Sequence, residues 1–157
     1  MRLAALIAIA GVALAGLPAS ALTVEAKISP EFQKKLDDDY GQREAKILTD
    51  ALVAKLEREL GKNAKVERVV VTIEDAKPNR PTMEQVRDKP GLDAIRSISL
   101  GGARVAGIAY SASGQEVARL DYDWYETTLA NVQGASTWSD ARYSFDRFAT
   151  KLADKVG

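Results

Sequence analysis

The chain has 157 residues, 46% of them hydrophobic and 28% charged, with 22 basic residues balanced by 22 acidic ones and neither histidine nor cysteine. Lacking those two residue types, it cannot carry Ser-His-Asp or Cys-His catalysis, the usual zinc and copper sites, thiol redox chemistry or disulfides. What survives is carboxylate chemistry, Ser/Lys chemistry and hard cations bound through oxygen. No motif asks for a cofactor or a metal, and the near-neutral balance leaves no counterion-release footprint, so nucleic acid is not an expected partner.

Met1-Arg2 is a short basic start, Leu3 to Leu17 is an almost unbroken apolar run, and Pro18-Ala19-Ser20-Ala21 ends in a small-x-small cleavage pattern. Residues 1–21 read as a cleaved signal peptide, because the apolar run is shorter than the roughly 20 residues of a membrane span. Losing Arg2 takes the net charge from 0 to −1. Residues 22–157 then form a single α+β domain with no transmembrane segment, expected to be periplasmic or secreted and large enough to bury its own core.

Leu22 to Ile28 alternates apolar and polar, a first strand. Ser29-Pro30-Glu31 supplies a cap, a proline at the first helical position and an acid in the first turn. Phe32, Leu36, Tyr40, Leu48, Leu52, Leu56 and Leu60 lie on one four-residue row, which predicts a short helix, an interruption near Asp38–Gly41 and a main helix from about Tyr40 to Leu60. Asp37-Asp38-Asp39 does not have the alternating spacing of a calcium loop, and reads as a solvated surface with a cap for the main helix. Lys65 to Glu74, apolar on both faces, predicts a central strand.

The connection from Asp75 to Asp93 holds Pro78, Pro81 and Pro90, and a capping box, Thr82 with Gln85, that predicts one or two helical turns. It is either a stiff crossover covering one end of the sheet or a loop whose Asn79, Arg80 and Arg87 offer donors to an acidic ligand or partner. In the second case, replacing Arg80 and Arg87 with Ala weakens partner capture and leaves the melting temperature nearly unchanged.

Ile95–Leu100 and Ala103–Tyr110 read as strand on either side of a bend at Gly101-Gly102, and Ala118 to Trp124 as the returning strand. A three-residue turn at Ala112-Ser113-Gly114 pairs Ser111 with Gln115. It sets Ile108 opposite Ala118 and Ala106 opposite Leu120, so that the even residues of both strands share the buried face. Asp121 and Asp123 stand as second neighbours on the other face, where a carboxylate pair is conceivable but a wet strand face is simpler. Tyr125, beside Tyr122 and Trp124, either stacks on a ligand or packs. Trp138, Ala141, Phe145, Phe148, Ala149, Leu152 and Val156 then define a terminal amphipathic helix, capped by Ser136 or Thr137, whose aromatics cover the even face of the hairpin.

Taken together, Val69–Ala76 leading into Pro78-Asn79-Arg80-Pro81, the turn Ser113-Gly114-Gln115-Glu116, and Trp138-x-Asp140 followed by Phe145-Asp146-Arg147-Phe148-Ala149-x-x-Leu152 resemble an exported bacterial family of unknown function. Many of its members are lipoproteins ending in a Trp-x-Asp helix. The resemblance implies no catalytic residue, and this chain lacks the cysteine that lipidation needs.

The expected fold is two-layer α+β: a mostly antiparallel sheet of about four or five strands, with a long helix and a C-terminal helix packed on one face. The expected function is a non-enzymatic binding or envelope-associated module that meets a protein or envelope component through Asn79, Arg80, Arg87 and Tyr125. Two alternatives stand beside it. One is a small hydrolase using Asp75, Asp121 or Asp123; the other is a homo-oligomer built on an exposed edge strand.

Overall fold

In the computed structural model, which describes residues 21–157, the alternating stretches become a four-stranded sheet in the order β1-β2-β3-β4. The leader expected over residues 1–21 lies, apart from Ala21, outside the described residues. β1 (Thr23–Ile28) runs parallel to β2 (Arg68–Lys77), while β2, β3 (Gly102–Tyr110) and β4 (Glu116–Tyr125) pair antiparallel. The sheet is therefore mixed, and the fold is α+β as expected.

Local sequence explains the helices. Ser29 Oγ accepts the Phe32 N–H (3.1 Å) and donates to the Glu74 carbonyl (3.1 Å), so one hydroxyl caps α1 (Pro30–Lys35) and ties it to β2. The expected interruption is a π-helical turn over Leu36–Tyr40, closed by the Gly41 N–H on the Leu36 carbonyl (2.7 Å), before α2 (Arg43–Leu60) begins. The three acids do not cap α2: Gln33 and Lys34 hold Asp37 and Asp38, and Gln85 and Lys89 reach Asp39. Thr82 and Gln85 form the capping box of α3 (Met83–Asp88). α4 (Ser139–Val156) follows a short 3-10 turn at Leu129–Val132, and neither Ser136 nor Thr137 caps it.

α2 and α4 lie together on one face of the sheet. Leu48, Leu52, Leu56 and Leu60 of α2 and Phe145, Phe148, Ala149 and Leu152 of α4 are fully buried with Val69, Val71, Ile73, Ala103, Val105 and Ala109. Trp138 is 3% exposed, so the three large aromatics are buried as the periodicity predicts, although on β3 the face that Phe148 covers is the odd one, at Gly107, and not the even one.

The hairpin corrects the sequence reading in its register. The turn is as expected: Ser111 N–H donates to Gln115 O and Gly114 N–H to Ser111 O, both at 2.9 Å, with Gly114 at φ 79°. A further bulge between Ala109 and Tyr110 then shifts the ladder, pairing Ala109 with Ala118, Gly107 with Leu120 and Val105 with Tyr122. Ile108 and Ala106 accordingly stand opposite Arg119 and Asp121 on the outer face. The reason is space, since a Cβ on Gly107 would lie 2.8 Å from the Phe148 ring. The face under the helix must be the small one. Ile95–Leu100 is also not a strand; it runs across the end of the sheet with Ile95 and Ile98 exposed.

On the outer face no described helix covers the rows Glu25-Val70-Ile108-Arg119 and Lys27-Thr72-Ala106-Asp121. Its arginines are paired within the sheet, Arg68 with Glu25, Arg104 with Glu74 and Arg119 with Glu116.

Phe145→Ala is expected to cost roughly 3–5 kcal/mol, and Gly107→Ala, which overpacks the same seam, about 1–3 kcal/mol, both read from denaturant melts. A loss near zero for either would contradict the docking of α4.

Candidate functional site

The β2–β3 connection closes the sheet end opposite the hairpin turn, and Asn79 is its fastening. Fully buried, Asn79 donates from Nδ2 to Asp140 Oδ2 (2.5 Å) and to the Ser99 carbonyl (3.3 Å), while its Oδ1 accepts the Asp140 N–H (2.8 Å). Its backbone N–H donates to Thr137 O (2.7 Å), and its carbonyl accepts the Ser99 N–H (2.8 Å). Asp140 Oδ2 also accepts the Gly101 N–H (3.1 Å), and Gly101 has no room for a side chain, because a Cβ would meet Asn79 Oδ1 at 2.7 Å. Every polar group of Asn79 is therefore used internally.

The neighbours of this clasp follow the same logic. Arg80 donates to the carbonyls of Ala135 and Ile95, bracing two loops against each other. Trp138, two residues before Asp140, donates its indole N–H to Glu44 Oε2 (2.6 Å) and meets the Tyr40 ring edge-on at 5.7 Å. The Trp-x-Asp sequence thus spans two helices and a loop. Trp138 holds the start of α2, and Asp140 holds the crossover.

Above these braces the start of α2, α3 and the start of α4 leave a groove. One part, about 320 Å³, is lined by Glu44, Ile47, Pro81, Met83, Ala94, Trp138 and Arg142, among others. A second, about 570 Å³, is lined by Tyr40, Arg43, Glu84 and Arg87 and shares Glu44, Ile47 and Met83 with the first. Ile47 is 40% exposed and Met83 74%, and Ile95, next in the chain to Ala94, is 77% exposed. A further hollow of about 300 Å³, on the other side of Pro81 and Gln85, contains Asp39, Tyr40 and Lys77.

Of the four residues singled out from sequence, Arg87 alone lines the groove, where it also pairs with Glu84 and Asp88. Asn79 and Arg80 lie in the supporting layer. Tyr125 is on the far side of the sheet end, half-buried, donating to Asp75 Oδ2 (3.1 Å) with Lys77 Nζ 5.3 Å from its ring centre. Because Arg80 braces two loops, the expectation that its removal spares the melting temperature is revised to a loss of stability. The sequence reading missed Ile47, Met83 and Arg142. A methionine at the first position of a helix with a capping box, where little of the chain can cover it, was the available signal.

The carboxylates considered for catalysis are dispersed. Asp121 and Asp123 are exposed on the outer face, and Asp75 is held by Lys35 (2.8 Å) and Tyr125. The carboxyls that the fold does displace go down: Asp88 and Glu116 beside arginines, Asp93 and Glu126 on backbone N–H donors, and Asp146 on Lys55 and Arg58. A general acid needs the opposite displacement. Among the described residues no cluster of three or more acids is placed to hold a metal, and no helix is long and apolar enough to cross a membrane.

No family model matches the chain, and no curated protein matches it significantly. A solved structure from Caulobacter crescentus CB15, of a protein described as a "putative lipoprotein", is 17% identical with a TM-score of 0.31, covering 85% of this chain and 83% of that one.

Two measurements test the braces. Asn79→Ala leaves the Asp140 N–H and part of its carboxylate unpaired, so the expected cost is roughly 1–3 kcal/mol per group in a denaturant melt. Burial, then the charges of Asp75 and Asp39, push the Tyr40 phenol up to about 12 from 10.0. Its proton is thus held more tightly in the folded state, so this contribution to stability is intact below pH 10 and is lost as pH rises towards about 12. Ultraviolet titration should show two late phenols, because burial and Asp75 push Tyr125 up as well, and Tyr40→Phe should remove one of them.

Proposed function

We propose that the chain is an exported, non-enzymatic binding module, working in the periplasm or outside the cell, that holds a protein or envelope component in the groove between the starts of α2 and α4. The observation that carries this reading is the convergence of Ile47 and Met83, from separate elements, as large apolar side chains left in water around one hollow. Singly exposed apolar residues are ordinary; several around one concavity mark an interaction site. Below them the groove is built on hydrogen-bonded, buried supports, which a site that must hold its shape requires. Arg87 lines the groove in its pair with Glu84, and Asn79 and Arg80 lie in the layer that supports it. The apolar leader at residues 1–21 supports export.

Two experiments test the reading. A photoreactive side chain at position 83 should give a specific adduct in cells, and the same group at position 119, on the outer sheet face, should give none. Equal yields from both positions, or none from either, would overturn the groove. Intact mass of the protein from the exported fraction should correspond to a chain beginning at Leu22. Protein retained in the cytoplasm with Met1 still attached would overturn export.

A further inference from the structure

We infer that the occupant of this groove is an acidic protein segment, with one large apolar side chain flanked by carboxylates. The inference rests on the reading of the groove as a docking site and adds the chemistry of what docks there. Three arginines, Arg43, Arg87 and Arg142, and two glutamates, Glu44 and Glu84, line its two parts.

These charges are not equally available. Glu44 accepts the Trp138 indole N–H and keeps its negative charge, while Glu84 and Arg87 neutralise each other, so the lining retains a net positive charge of one. Among the described residues Arg43 and Arg142, like Arg80, Arg96 and Arg147, have no carboxylate within salt-bridge reach, whereas Arg58, Arg68, Arg87, Arg104 and Arg119 do. Both are exposed.

Their placement brackets the apolar centre. Arg43 and Ile47 are four apart on α2 and share a face, as do Trp138 and Arg142 across the start of α4. An extended or helical segment crossing the groove would set its apolar side chain between Ile47 and Met83, with a carboxylate for an arginine at each end. The two longest helices among the described residues, 18 residues each, also begin here, and neither has a cap from the side chain of its own N-cap residue. Their positive ends are met by the first-turn acids Glu44 and Asp140, which Trp138 and Asn79 hold in place, so the attraction for an acidic segment comes from the two arginines. Arginine offers a planar fork that matches carboxylates in pairs. An anionic membrane surface fits less well, since it is bound by dense polybasic patches, not by two cations separated by an apolar hollow.

The test uses the full chain exported in its own host, with the photoreactive group at position 83 and the adduct sequenced by mass spectrometry. The expected adduct is a protein segment carrying Asp or Glu on both sides of an apolar residue. Its yield should fall roughly fivefold or more in Arg43→Glu with Arg142→Glu, and be largely kept in Arg43→Lys with Arg142→Lys. Melting temperatures of both variants are measured alongside. Should the reversed pair fail to fold, Arg43→Gln with Arg142→Gln must show the same direction of loss. An adduct insensitive to these charges, a segment without acids, or a lipid adduct would overturn the acidic-segment inference while leaving the groove in place. No adduct from the unaltered arginines would overturn both.

Discussion

The Phe148 ring fills the space that a side chain at position 107 would need, and much of the architecture follows from that exclusion. With Gly107 forced beneath the ring, the small residues Ala103, Val105 and Ala109 must share its face, and Ile108 and Tyr110 must point outward. Because side chains alternate strictly along a strand, the ladder to β4 could reconcile this with a buried Ala118 and a half-buried Leu120 only by inserting one residue. The bulge at Ala109/Tyr110 supplies it. Once α4 is seated in this way, its first turn is brought against the β2–β3 crossover, where the Asn79–Asp140 clasp can form.

That clasp is a compromise between holding and binding. A buried amide and carboxylate are tolerable only if their donors and acceptors are paired, and here they are paired with each other and with the backbone on both sides. The arrangement fixes the crossover on the start of α4, and Trp138 with Glu44 fixes the start of α2 beside it. The groove is what remains between three elements whose positions are set from below. Groups that do the fixing cannot also greet a partner, which is why the polar residues most conspicuous in the loop, Asn79 and Arg80, turn inward.

Sequence periodicity revealed the helices, the central strand, the capping box and the burial of the terminal aromatics, because each depends on residues a few positions apart. What it missed depends on contacts between distant segments. Bulk on β3 pointed to the wrong face, since the space over Gly107 is taken by a residue 41 positions later in the chain. Ile95–Leu100 has strand-like composition but no edge to pair with, because the crossover lies across the end of the sheet. For the site, the donor-rich loop was the right region, yet only Arg87 reaches the groove. Nothing local separates Ile47 from the apolar residues of α2 that are buried, or Arg142 from other surface arginines.

Charge pairing also separates the groove from the outer sheet face, the other broad surface without a covering element among the described residues. On that face Val70, Ala106 and Ile108 are half-buried beneath long charged side chains that answer one another, so docking there would break existing pairs before new ones formed. Such pairs are individually weak, but desolvating both members without replacing the contact costs more than the pair contributed. At the groove the large apolar groups are already in water, and Arg43 and Arg142 have no pair to break. Covering that surface therefore gains apolar burial and two charge contacts at little internal expense, which makes it the surface of this fold where association has least to undo.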